Sequence, residues 1–223
     1  MLSLWFLAMV AVAAPLPGVW RVDIHAASTS QALWVQTPTA LHTVGLLRPS
    51  GAAVWYQVCD LKADGGPIQT TIPYAWIESL PPREVEATLS ADRVWVDLGT
   101  ASSGFDPNEV SLDDVDVGTS FDQDGDGAPG LTLNVVVPLI GRGAVYVVEQ
   151  SNIQLDGRLL DPTHVEGDVE VRAQHVVVGA SPAILARQAQ VRAMPEQSWF
   201  ALTRVDAGTT CHTLKQNGDS FSR

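Results

Sequence analysis

The sequence predicts an all-β protein, an antiparallel meander closing into a barrel, with a two-sheet sandwich as the alternative. Three observations carry this. Hydrophobic residues alternate with polar ones along most of the chain, the period of a half-buried strand. The alternating runs are rich in Val, Trp and Tyr, which suit a pleated surface. The runs end at Gly, Pro and Asp, and consecutive runs lie close together, as antiparallel neighbours require. A barrel is favoured because closure removes exposed strand edges.

The chain opens on an uncharged apolar run from Leu2 to Val12, too short to span a bilayer as a helix. It ends in Ala11-Val12-Ala13, an A-x-A-type cleavage signal. Residues 1–13 therefore read as a signal peptide and 14–223 as one β-rich domain, secreted or periplasmic. No other run is long and apolar enough to make a membrane helix, so an integral membrane protein is not expected. The remaining cysteines, Cys59 and Cys211, form an even pair in an exported chain, which predicts a disulfide.

The strands follow in order. Trp20, Val22 and Ile24 alternate with Val19, Arg21 and Asp23. Residues 54–59 and 94–98 are β-branched and aromatic, and 131–137 is apolar up to Pro138. A strand through Val145 and Val147 runs on to the turn signal Asp156-Gly157. Segments 165–179, 190–193 and 199–202 complete about nine to eleven strands. One short helix is predicted from Pro182 to Ala189, with proline in its first turn.

Residues 105–130 break the alternation. Eight acidic residues (Asp106, Glu109, Asp113, Asp114, Asp116, Asp122, Asp124 and Asp126) occur there without a Lys or Arg. A loop of this length between strands is either functional or disordered. Its last part, Asp122-Gln123-Asp124-Gly125-Asp126-Gly127, puts carboxylates at every second position ahead of a glycine. Ca²⁺ takes six to eight oxygens, and such spacing lets a turning backbone point three carboxylates at one ion. The motif resembles the D-x-D-x-D-G loop of EF-hands, dockerins and extracellular calcium repeats. That resemblance implies side-chain ligands from Asp122, Asp124 and Asp126 and a backbone carbonyl from Ala128. The twelfth loop position is Leu133 rather than Glu, so the loop is not an EF-hand. Further ligands are expected from Asp113, Asp114 or Asp116, and the ion is expected to be structural. The alternative is an acidic turn without an ion.

The net charge of −12 and the lack of any Lys/Arg cluster exclude nucleic acid as an expected partner. No G-x-S-x-G elbow, phosphate loop or H-x-x-x-H pair occurs among the serines, glycines and His25, His42, His164, His175 and His212. An enzyme is therefore not expected, although a carboxylate pair of the glycosidase kind stays open as an alternative. The tryptophans suggest a second role. Trp20, Trp55 and Trp95 sit in strand-like runs and are candidates to line an apolar pocket inside a barrel. Gly18-x-Trp20 and Arg204 resemble the G-x-W and C-terminal arginine of lipocalins. That likeness implies a small apolar molecule or lipid held in the barrel. The competing expectation is a structural or surface-interaction module with a solid core.

Overall fold

The computed structural model describes residues 14–32, 35–188 and 190–216. The predicted signal peptide, Trp34 and the tail from 217 lie outside the described residues. Twelve strands form one sheet: β1 (Ala14–Pro15), β2 (Val19–Ala32), β3 (Val35–Ser50), β4 (Ala53–Asp64), β5 (Gln69–Thr71), β6 (Arg83–Ser90), β7 (Arg93–Ser103), β8 (Leu131–Val137), β9 (Gly141–Asp161), β10 (His164–Ser181), β11 (Gln190–Ala193) and β12 (Trp199–Val205). Every strand pairing is antiparallel. The all-β meander is thus present, as a single sheet rather than two.

Eight strands close a ring in chain order, β2-β3-β4-β6-β7-β9-β10-β12, and β12 returns to β2. The ring is uneven. β4 and β6 share three register pairs, whereas β9 and β10 stay paired from Ser181↔Ala144 to His164↔Asp161. Long strands therefore outrun short ones, and the closed ring opens into two lips at one end. One lip is β10-β9-β8-β5; the other is β11-β2-β3 with the end of β4. Bulges at Val44/Gly45 and between Asp97 and Thr100 mark the level where the sheet changes course, since an extra residue bends its strand.

The closed part is packed solid. Trp20, Val22 and Ile24 point inward with Leu47, Tyr56, Val94, Val96, Leu98, Leu155, Phe200 and Leu202, all nearly or fully buried. Full burial of each such side chain contributes roughly 1.5–3 kcal/mol. Tyr56 fits because Gly45, diagonally across on β3, lacks a Cβ; one built there would stand 2.4 Å from the ring. Burial pushes the Tyr56 hydroxyl well above its ordinary pKa. Leu16 covers this end, and the Trp20 indole donates to the Pro17 carbonyl at 2.8 Å.

Among the described residues two α-helices occur, α1 (Tyr74–Ser79) and α2 (Cys211–Gln216), neither at the predicted place. Of the predicted helix, residues 182–188 make a single 3₁₀ turn at Ala183–Leu185, and Ala189 lies outside the described residues. No side chain caps it, and Ala186 already leaves helical dihedrals with ψ 55°. By contrast, Thr210 and Thr213 exchange side chain–backbone hydrogen bonds at the start of α2, a reciprocal cap. Cys59 of β4 is bonded to Cys211, the first residue of α2, across a separation of 152 residues. The predicted disulfide thereby holds α2 on the outer barrel face, where its Leu214 packs with Val19, Val44 and Leu46. A loop closure of that size is worth about 2–5 kcal/mol.

Candidate functional site

The space between the two lips is a cavity of about 310 Å³. One wall is aliphatic: Leu133, Val135 and Val137 from β8, Val145 and Val147 from β9, and Val177 from β10. The facing wall carries hydroxyls, Ser30 of β2 with Thr37 and Thr39 of β3. These residues follow from strand parity. Val145, Val147, Glu149, Ile153 and Leu155 are alternate residues of β9 and share one face. Toward the closed ring that face meets Leu and Phe and fills; between the lips it meets Thr and Ser and leaves space.

The segment after β10 folds across the mouth. Leu185 lies against Gly143, where a Cβ would stand 2.3 Å from Leu185 Cδ1, so only glycine admits it. Ile184, Leu185 and Arg187 line the opening with Val191 of β11. Gln188 clamps the segment by accepting from the Val177 amide and donating to the His175 carbonyl.

At the inner end lie Glu149 and His175, direct cross-strand partners in the β9–β10 register. Opposed side chains of an antiparallel pair come within about 5 Å at Cβ. Glu149 is half-buried, and it lines the cavity. Burial pushes its carboxyl up, opposed by a hydrogen bond from the Ser151 hydroxyl. Burial likewise pushes the His175 imidazole down. Both groups are thus biased toward their neutral forms.

The tryptophans singled out in the sequence lie elsewhere. Trp20 is part of the solid core, while Trp55 and Trp95 occupy the strand face that points away from it. None lines the cavity. Glu149 and His175 were not picked from the sequence, although the signal is present: a glutamate interrupts the apolar face Val145-Val147-x-Ile153-Leu155. The Arg204 guanidinium does pack over Gly18, and Arg204 is the cross-strand partner of Trp20. A second pair unmarked by spacing is His25 and His42, with Nδ1 atoms 3.3 Å apart and His25 stacked on Trp199 on the outer face.

The acidic loop is ordered around a core of its own. Phe105, Leu112 and Val115 pack on Val148, Val176 and Val178, the outward faces of β9 and β10. The wall behind the cavity is therefore covered on both sides, which accounts for the continuous valine runs there. β7 leaves β9 at Ser103↔Glu149 and β8 takes its place from Leu131↔Val147, so the loop is an insertion within one lane of the sheet. Its two ends touch at Gly104 and Gly130. A Cβ on either would stand within 2.7 Å of backbone, and both have left-handed φ (78° and 77°).

At this neck, Asp122, Asp124 and Asp126 bring carboxylate oxygens within 4.8 Å of one another. Asp122 accepts from the amides of Gly125, Asp126 and Gly127, which hold its pKa down, Gly127 foremost. Asp126 accepts from Ala128, and Asp124 Oδ2 accepts from the Thr132 amide at the start of β8. Asp124 Oδ1 is buried without a hydrogen-bond donor beside the Asp122 carboxylate, and burial pushes its pKa up. Two carboxyls so placed repel one another, and a proton or a cation between them would relieve it. Asp114 instead accepts from Ser111, and Asp116 caps its own turn through Gly118 and Thr119. Asp113 is exposed. The structure does not bring these three into the cluster.

No protein-family profile matches the chain, and neither a curated protein nor a solved structure matches it. Nothing positive indicates enzymatic activity. Among the described residues, no helix is long and apolar enough to cross a membrane.

Proposed function

We propose that this protein is an exported, non-enzymatic binding protein that holds a small apolar molecule or lipid between the lips of its barrel. The single observation that carries this is the cavity: aliphatic on one wall, opened by the flare of the sheet and closed over by Leu185. Pockets of this size and lining suit small lipophilic ligands. The tryptophans have no part in this reading; the valines of β8, β9 and β10 replace them. The disulfide agrees with an oxidising compartment.

Ca²⁺ is part of the same proposal, as a structural ion at Asp122, Asp124 and Asp126. The orphaned Asp124 Oδ1 and the mutual approach of the carboxylates fit a cation. There it would offset their repulsion and tie the loop to Thr132 of β8, the strand that lines the cavity.

The test is titration with N-phenyl-1-naphthylamine, a neutral fluorophore that brightens in apolar surroundings. Saturable one-to-one binding is expected, abolished by Val145→Phe, which fills the cavity from a half-buried position. Absence of saturable binding to the native protein sinks the proposal.

A further inference from the structure

We infer that the cavity selects a ligand with a basic nitrogen, an apolar amine that places its ammonium head against Glu149 and its tail along the valine wall. This rests on the binding proposal above and adds the head group to it.

A carboxylate enclosed by protein is costly unless a cation or several donors face it. From its own strand Glu149 meets only the Ser151 hydroxyl; from β7 its cross-strand neighbour is the uncharged Ser103; from β10 it is His175. The other charged residue lining the space, Arg187, is exposed on the segment at the mouth. The facing wall offers hydroxyls of Ser30, Thr37 and Thr39, which are uncharged. The floor thus has an acceptor and no matching cation.

Three candidate head groups compete. A carboxylate would set its charge against the Glu149 carboxyl, with no cation to offset it, and would approach a protein of net charge −12. An alcohol can bond Glu149 without exchanging charge. An ammonium gains a charge-assisted hydrogen bond, worth more than a neutral one, and is drawn in by the field of the whole molecule. His175, held neutral, leaves that attraction intact and can accept a second N–H. On binding, the amine enters as its ammonium form and any proton held by Glu149 leaves to solvent, so charge balances within the cavity.

The experiment compares octylamine, 1-octanol and octanoate, three equal tails, by calorimetry on the native protein and on Glu149→Gln. Octylamine is expected to bind about tenfold or more tightly than octanol, as a charged hydrogen bond implies. Glu149→Gln should erase that preference while octanol affinity persists. Retained octanol binding also shows that the variant is folded. Equal affinities in the native protein, a preference for octanoate, or a preference that survives Glu149→Gln each overturn the inference and leave the apolar cavity standing. If none of the three binds, the binding proposal itself fails.

Discussion

The two ends of the barrel use the same strands and the same inward-facing parity, yet one is solid and the other hollow. At the closed end β2 contributes Trp20, Val22 and Ile24, met by Phe200 and Leu202 across the ring. Between the lips the same strand contributes Ser30, met by Thr37 and Thr39. Large apolar side chains fill a ring of eight strands; small hydroxylated ones beyond the bulges do not. The difference teaches that stability and ligand capacity are held by separate stretches of single strands. The long β2, β3, β9 and β10 reach from one task to the other.

Truncation should expose this division most strongly. Trp20→Ala at the solid end is expected to cost about 3–5 kcal/mol, through lost burial and an unfilled void. Val145→Ala at the hollow end should cost under about 1 kcal/mol, because its neighbourhood is already empty on one side. Urea denaturation of both variants measures the contrast, and equal losses would break it.

The acidic loop belongs to the hollow end, since its neck is tied to the first turn of β8. Millimolar Ca²⁺ is expected to raise stability by about 1–2 kcal/mol, the linkage expected for a weak extracellular-type site. Asp124→Ala should remove the response. A native melting curve that ignores calcium, and is matched by that of Asp124→Ala, would take the ion out of the account.

The smallest expected effect concerns the cavity floor. The folded pKa of Glu149 lies above its unfolded value, so the folded chain holds its proton more tightly. That contribution is complete below the ordinary carboxylate range and is lost as pH rises through the raised folded pKa. Glu149→Gln carries no such loss. It should therefore melt higher than the native protein near neutral pH, by about 2–4 °C, with the gap narrowing toward pH 4. His175 acts oppositely: its lowered pKa means that stability falls as pH drops below the ordinary histidine range. A variant that melts with the native protein at every pH would show that the floor is well solvated.

Much of this was legible in the residues themselves. Alternation gave the strands, because side chains in a strand point to opposite faces whatever their partners. The even cysteine pair foretold the disulfide. Asp122 to Gly127 marked the carboxylate cluster, because those ligands are local in the chain and one tight turn gathers them. The cavity was not legible, because its walls come from β2, β3, β8, β9 and β10, brought together only by ring closure. Tryptophans drew attention as the largest apolar groups, but Trp20 fills the solid end and Trp55 and Trp95 face outward. Pro182 read as a helix start, whereas Leu185 is drawn instead toward the gap above Gly143.

The sequence by itself determined which faces are apolar, where the chain turns, and that carboxylates gather at residues 122–126. These are consequences of side-chain chemistry and of strand and turn geometry over a few residues. Only the tertiary structure decided that strands of unequal length close into an uneven ring and splay at one end. It also set Glu149 opposite His175 at the bottom of the gap. Register between distant strands fixes those facts, and a one-residue slip would turn Glu149 to the other face.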